Sequence, residues 1–170
     1  MTASDKQPMP VQHDVERIEG IEPIRTAAAE LAAAARREIL ILSTDLQAHL
    51  YDQDDFLESL RQLAISTQHA RIRILVSDLD PAIKHGHRLI ELARQLSTFI
   101  KIRRLHSDDA ALAETFLLVD QAALLQQSPP FGLMAMRYSR ARFEGRQRAL
   151  QFETLWERAE LDPNLRRLWL

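Results

Sequence analysis

Three short apolar runs constrain the fold of this chain more than any other feature. They are Glu38–Ser43, Arg71–Ser77 and Glu114–Asp120, and each is rich in Ile, Leu, Val or Phe. Runs of this length and composition are typical of strands that are buried on both faces. A further segment, Phe99–Leu105, alternates polar and apolar residues, as a partly exposed strand does. The sequence therefore predicts a sheet that other elements cover on both sides.

Helical segments alternate with these strands. The pattern predicts helices over residues 23–37, 54–67, 80–97 and 146–161, and further strands over residues 122–127 and 132–138. This order predicts an α/β protein with a parallel or mixed sheet and helices on both faces. Residues 1–16 are polar and contain two prolines, which indicates a disordered N-terminal lead-in. Residues 17–170 then form a single domain.

Composition excludes several kinds of site. The chain has no cysteine, which rules out disulfides, thiolate metal ligands and a cysteine nucleophile. Its four glycines are too far apart for a glycine-rich nucleotide loop. We predict no cofactor and no metal. The sequence begins without a signal-peptide pattern and has no apolar run long enough to span a membrane, so we expect a cytoplasmic protein without membrane insertion.

Charge is unevenly distributed along the chain. Residues 1–60 carry 5 Lys and Arg against 12 Asp and Glu, whereas residues 61–170 carry 17 against 12. The basic excess is greatest between Arg137 and Arg148. Guanidinium groups bind phosphate with two hydrogen bonds at once, so this cluster is either an anion site or an ordinary solvated surface.

The order of elements over residues 24–160 resembles a phospholipase D-type domain. The segments that carry the resemblance are Glu38–Ser43, Ile72–Ser77, Thr115–Asp120 and Phe152–Trp156. The resemblance implies the phospholipase D-like mixed or parallel sheet flanked by helices on both faces. In that family one strand carries His-x-Lys-x-x-x-x-Asp, and two such motifs meet at one active site. One histidine attacks phosphorus, the other protonates the leaving oxygen, and the lysines bind phosphate.

This chain departs from the motif at its two reactive positions. When the motif is anchored on Asp120, Ala113 stands at the histidine and Thr115 at the lysine. An alanine cannot attack phosphorus, and a threonine supplies no positive charge. The chain is also about half the usual length, with room for one motif. The resemblance therefore implies a pseudoenzyme, which keeps the fold but has no catalytic residue.

A second resemblance concerns Arg142–Gly145 and His87–Ala93. These segments are similar to parts of an uncharacterised bacterial domain that is related to this fold and is sometimes attached to GNAT acetyltransferases. The similarity implies an accessory or regulatory role, with an acetyltransferase as the partner.

We expect a non-catalytic module of a bacterial-type protein that binds an anionic ligand or a partner. The ligand is a phosphorylated small molecule or a nucleic acid, and the predicted site consists of Thr115, Asp120, Arg103, Arg137, Arg140 and Arg142. Asp120 alternatively caps a strand turn or holds an arginine. One alternative function is a homodimeric interaction subunit that binds no ligand. The other is an enzyme with replaced chemistry, which would use His106 or His87 together with Asp120.

Overall fold

Seven strands form one sheet in the computed structural model of the protein, which describes residues 15–111, 114–128 and 133–165. The strands are β1 (Val15–Glu19), β2 (Glu38–Ser43), β3 (Arg71–Val76), β4 (Ile100–Arg104), β5 (Thr115–Val119), β6 (Ala123–Gln127) and β7 (Met134–Tyr138). The helices are α1 (Ile21–Ala33), α2 (Ala48–Tyr51), α3 (Asp54–Ser66), α4 (Asp80–Lys84), α5 (Arg88–Gln95), α6 (Ser107–Ala110) and α7 (Arg142–Arg158). A short 3-10 turn, Pro163–Leu165, follows α7.

The sheet is mixed, with strand order β1-β7-β6-β5-β2-β3-β4. Strands β2, β3 and β4 run parallel to one another, and every other neighbouring pair is antiparallel. Strand β2 lies between β3 and β5, where Ile41 is paired with Ile74 on one side and with Leu117 on the other. All six residues of β2 are buried, as its continuous apolar run predicts.

Helices cover both faces of the sheet, which confirms the predicted fold class. Because side chains alternate along a strand, Ile39 and Ile41 face the helices α1 to α5, whereas Leu40 and Leu42 face α7. The larger core lies on the first side. The smaller core joins α7 to the sheet through Leu40, Leu42, Leu75, Phe116, Leu118, Leu124, Phe152 and Trp156.

The structure corrects the predicted start of the domain. Val15 and Glu16, which the sequence assigns to the polar lead-in, are the first residues of β1 and pair with β7. Only Ile18 of this strand is buried, because β1 forms the edge of the sheet. Because β1 buries this one side chain only, its sequence shows no regular alternation of apolar and polar residues from which the strand could be predicted. The rest of the predicted lead-in, residues 1–14, lies outside the described residues.

Two predicted helices also have different limits. The helix predicted over residues 80–97 is divided into α4 and α5, and Gly86 between them adopts a φ of +66°. That backbone conformation favours glycine and ends a helix. Helix α7 begins at Arg142, four residues before the predicted start, and so includes Gly145. Ala141 precedes the helix and binds the β5–β6 turn through its backbone N–H group.

His87 holds the start of α5 against the loop after β2. Its Nδ1 accepts a hydrogen bond from the backbone N–H of Leu89, and its Nε2 donates to the carbonyl oxygen of Leu46. These two bonds require the neutral ring with its proton on Nε2. Burial lowers the pKa of His87 below its ordinary value, and this effect outweighs the Leu46 hydrogen bond, which raises the pKa.

We expect protein stability to fall as the pH drops below about 6.5, the ordinary pKa of histidine. Below this pH the His87 ring is protonated in the unfolded chain but stays neutral in the folded protein until its lower pKa is reached. Between these two pKa values, the free energy of unfolding therefore rises with pH by up to about 1.4 kcal/mol per pH unit. The variant His87→Asn will lose this part of the slope in urea unfolding measured from pH 5 to 7. The exposed neighbour His85 gives the control variant His85→Asn, which will keep the slope. Equal slopes in all three proteins would contradict the assignment.

None of the helices in the described part of the chain has the length and apolar character that crossing a bilayer requires.

Candidate functional site

A cleft of about 600 Å³ opens at the edge of the sheet where the parallel strands begin, here called the amino edge. Its lining residues are Arg37, Glu38, His69, Arg71, Asp120 and Gln121. Glu38 and Arg71 begin β2 and β3 and are paired in register, and Asp120 follows the end of the antiparallel β5. Three distant segments therefore converge because parallel strands start at one edge and an antiparallel strand ends there.

The Asp120 carboxylate closes one side of this cleft. It accepts hydrogen bonds from the backbone N–H groups of Arg36, Arg37 and Glu38, each at 2.9 Å. Asp120 and Gln121 both have positive φ, at 51° and 54°, the combination that tight hairpins with type I′ turns need. The side chain thus ties the β5–β6 turn to the start of β2, and both of its oxygens are engaged.

The second carboxylate of the cleft, Glu38, is also engaged. It is 7% exposed and forms ion pairs with Arg71 and Arg73. Its other oxygen accepts a hydrogen bond from Gln121 at 3.3 Å. Its negative charge is therefore largely offset within the protein.

Arg73 connects Glu38 to helix α7. Its guanidinium is buried, binds Glu153 and lies 5.3 Å and 5.4 Å from the ring centres of Phe152 and Trp156. The hydrogen bond from Arg73 lowers the pKa of Glu153. The carboxylates of Glu38 and Glu153 are thus bound to arginines and that of Asp120 to backbone N–H groups, so each acidic group that lines the cleft is engaged within the protein.

Exposed arginines surround the amino edge. Arg36, Arg37, Arg140, Arg142 and Arg146 are exposed and form no ion pair within the described segments. Two of them lie on α7 and Arg140 lies just before it, and this segment is held at the edge because the Ala141 N–H group donates to the Ala122 carbonyl at 2.8 Å. Phe143 lies among them with 69% of its surface exposed. This edge can offer guanidinium donors to a phosphate or carboxylate.

The opposite edge of the sheet, here called the carboxyl edge, has a different character. Thr115 lies there, paired with Gln127, whose amide exchanges hydrogen bonds of 2.6 Å and 3.1 Å with the amide of Gln47. Acidic residues lie beside the strands at this edge: Asp45, Asp78, Asp80, Asp108 and Asp109 follow strand ends, and Glu114 directly precedes β5. Arg158 pairs with Asp108 and Asp109, and Arg148 pairs with Glu114. The exposed carboxylates that oppose an anion at this edge are therefore Asp45, Asp78 and Asp80.

The structure does not bring the predicted site residues together. Thr115 and Asp120 occupy opposite ends of β5, about 16 Å apart at 3.3 Å per residue. Arg140 and Arg142 lie near Asp120 at the amino edge, whereas Ala113, at the family's histidine position, falls outside the described residues.

Two other predicted arginines have protein partners. Arg137 on β7 forms an ion pair with Glu30 of α1 at 2.6 Å. Arg103 on β4 donates to the Trp156 carbonyl at 3.1 Å and lies 4.3 Å from the centre of that indole. Both side chains hold helices against the sheet.

Sequence reasoning missed five of the six residues that line the cleft: Arg37, Glu38, His69, Arg71 and Gln121. Two of them could have been predicted from the sequence, because Arg37 directly precedes β2 and Arg71 begins the neighbouring parallel strand β3. Charged residues at such starts meet at one edge once the strands pair in parallel.

His106 and His87, the histidines of the alternative enzyme with replaced chemistry, do not lie close to Asp120. His106 begins α6 and accepts a hydrogen bond from the Asp108 N–H group at 3.2 Å. His106 and His87 both follow segments that leave the carboxyl edge, whereas Asp120 lies at the amino edge. No cluster that could hold a metal ion occurs among residues 15–111, 114–128 and 133–165.

Solved structures of phospholipase D-family proteins share this fold. Nuc from Salmonella typhimurium is 10% identical with a TM-score of 0.65, and the match covers 88% of this chain and 97% of Nuc. NucT from Helicobacter pylori is 8% identical with a TM-score of 0.57, over 88% of this chain and 99% of NucT. Similarity at these identities establishes the fold, and the predicted phospholipase D-like sheet is confirmed.

TrmBL2, an archaeal chromatin protein whose structure shows a novel mode of DNA binding, is 18% identical with a TM-score of 0.64. The match covers 92% of this chain, which spans 56% of the length of TrmBL2. No curated protein matches the sequence. A family model does match residues 20–168, and the chain therefore belongs to the family described as Domain of unknown function (DUF7931).

Proposed function

We propose that this protein is a non-catalytic binding module that holds a phosphate-bearing anion in the amino-edge cleft. The observation that carries the proposal is the state of the charges there. The carboxylates of Glu38 and Asp120 are engaged by the protein, whereas Arg37 is exposed and forms no ion pair within the described residues, at the side of a cavity of about 600 Å³ that the exposed His69 also lines. That volume lies in the range of ordinary ligand sites.

The surroundings of the cleft favour a polyanion over a single small anion. Arg140, Arg142 and Arg146 extend the exposed positive charge beyond the cleft, and Phe143 offers an aromatic face between them. Arginines interleaved with an exposed aromatic ring are typical of surfaces that bind single-stranded nucleic acid. The DNA binding of TrmBL2, which shares the fold, supports a nucleic acid as the ligand.

Two observations support binding without hydrolysis. Alanine and threonine stand at positions 113 and 115, where the phospholipase D motif has its histidine and lysine. The carboxyl edge, where Thr115 lies, carries amides and carboxylates that would oppose a phosphate. The homodimer, the acetyltransferase partner and the enzyme with replaced chemistry stay predictions.

The test is a binding titration with inorganic phosphate, AMP and a single-stranded oligonucleotide. We expect oligonucleotide binding to weaken with salt. The variant Arg37→Glu will weaken it about tenfold and will reduce the salt slope by about 0.7 for each phosphate group that the protein no longer neutralises. Arg61 on α3 is exposed and outside the cleft, so Arg61→Glu is the matched control with the same charge change.

Phosphate or AMP will compete with the oligonucleotide if the cleft itself binds the phosphate group. The absence of saturable binding for all three ligands would overturn the proposal, as would equally weakened binding in Arg37→Glu and Arg61→Glu. Cleavage of the oligonucleotide by the purified protein, abolished by a substitution in the protein, would contradict the non-catalytic assignment.

A further inference from the structure

A buried carboxylate beyond the end of α7 has one oxygen without a partner. Asp162 is 3% exposed, and its Oδ1 accepts a hydrogen bond from the Asn164 N–H group at 2.8 Å. Its Oδ2 is buried and has no hydrogen-bond partner within the described residues. An unsatisfied buried oxygen is costly in a folded protein, so a hydrogen-bond donor that reaches it from a ligand would be stabilised there.

Asp162 lines a cavity of about 260 Å³ beside the outer edge of β4. The walls are mostly aliphatic and come from α5, β4 and the segment after α7: Ile90, Ala93, Ile100, Ile102, Leu161 and Leu165. Arg94 and Ser97 complete the lining. We call this the Asp162 cavity. Its volume lies below that of sites for drug-sized ligands, so it suits one side chain or a small fragment.

Arg94 supplies the second unpartnered group of the Asp162 cavity. Its Nη1 forms an ion pair with Glu91 at 2.7 Å, whereas its Nε is buried without a partner within the described residues. Among the described residues, the cavity therefore has a buried free acceptor, Asp162 Oδ2, and a buried free donor, Arg94 Nε. Glu91 already pairs with Arg94, so the Arg94 guanidinium does not offset the charge of Asp162. A ligand that satisfies both free atoms must carry a donor and an acceptor, whereas an ammonium has no acceptor and a carboxylate has no donor.

We propose that the Asp162 cavity binds an aliphatic residue of a peptide segment from a partner protein. The peptide N–H group donates to Asp162 Oδ2, its carbonyl accepts from Arg94 Nε, and the side chain fills the space between the isoleucines. A peptide group is neutral and carries one donor and one acceptor, which matches the two free atoms. The Asp162 cavity shares no lining residue with the amino-edge cleft, so the proposal of peptide binding does not depend on the proposal of anion binding.

The test uses blocked amino acids as peptide fragments, followed in the amide NMR spectrum of the whole protein. N-acetyl-leucine-N′-methylamide will cause saturable shifts at Ile90, Ile100 and Ile102, with a dissociation constant of about 1 to 10 mM, as expected for so small a ligand. N-acetylglycine-N′-methylamide has the peptide groups without the side chain, and isopentylammonium has the side chain with a cation. Both will bind at least about tenfold more weakly.

The variant Asp162→Asn separates a binding role from a structural one. It keeps an oxygen for the Asn164 N–H group but places an amide N–H donor opposite the N–H group of the ligand. Binding of N-acetyl-leucine-N′-methylamide will therefore weaken about tenfold. The melting temperature will stay the same or rise, because the unpaired buried charge is removed. The exposed neighbour Glu160 provides the control Glu160→Gln, which keeps both binding and stability.

Three results would overturn the proposal. The first is that no fragment gives saturable shifts, and the second is that the ammonium binds more tightly than the blocked leucine. The third is an Asp162→Asn variant that melts at a lower temperature and still binds the fragment as well as the wild type does, since the carboxylate would then serve only to cap the turn at Asn164.

Discussion

The variant Asp120→Ala is expected to lose about 3 kcal/mol or more of the free energy of unfolding, since hydrogen bonds to a charged group contribute about 1.5 to 3 kcal/mol each. Three backbone N–H groups, from Arg36 to Glu38, would lose their acceptor at once. Alanine would also adopt the left-handed φ of 51° at a cost of about 1 kcal/mol, which aspartate tolerates better. Urea unfolding measures the difference.

Two further substitutions at this position separate the causes. Asp120→Asn keeps one oxygen, enough for the N–H groups of Arg37 and Glu38, and is expected to lose about 2 kcal/mol because the Arg36 N–H group loses its acceptor. Asp120→Gly relieves the backbone conformation but removes the carboxylate, so its loss will stay near that of alanine. The exposed Asp108 gives the control Asp108→Ala. A loss below about 1 kcal/mol in Asp120→Ala would show that the carboxylate does not hold the amino edge together.

Gly145→Ala is expected to reduce the free energy of unfolding by about 2 kcal/mol, although alanine normally favours a helix over glycine by about 1 kcal/mol. A Cβ atom at Gly145 would lie 2.1 Å from the carbonyl oxygen of Gln121 and 2.6 Å from its carbon. These are backbone atoms of a tight turn, so α7 and the β5–β6 turn must move apart. The variant will therefore also weaken the binding of any ligand in the cleft that Gln121 lines.

A matched substitution controls for the change in helix propensity. Gln147 lies two residues away on the exposed side of α7, and Gln147→Ala is expected to change stability by less than about 0.5 kcal/mol. Thermal and urea unfolding of both variants distinguish packing from propensity. An increase in the stability of Gly145→Ala would contradict the close approach of α7 to the turn.

The core of the fold could be predicted because its strands carry their signal in their own sequence. Glu38–Ser43 is apolar at four consecutive positions, and both of its faces are buried. Strand β1 gave no such signal, since only Ile18 contacts the core and its pairing with β7 depends on residues more than a hundred positions away. The division between α4 and α5 depends on the backbone of Gly86, which a helical pattern on either side conceals.

The site was harder to predict than the fold because its charges depend on partners from other elements. Arg137 belongs to the most basic stretch of the sequence, yet Glu30 of α1 neutralises it. Arg71 lies in an apolar strand run and reaches the cleft only through parallel pairing with Glu38. Sequence spacing alone cannot tell which guanidinium is engaged and which is free.

The contrast between the two edges of the sheet gives the molecule a permanent dipole moment along its strands. Arginines without an ion pair in the described segments gather at the amino edge, before β2 and around the start of α7, and Asp45, Asp78 and Asp80 follow the points where β2 and β3 end. A polyanion that approaches from solution would experience a torque that turns the arginine side toward it before the two molecules touch. This orientation acts over roughly 8 Å at physiological ionic strength, so salt would slow the encounter much more than it would hasten dissociation.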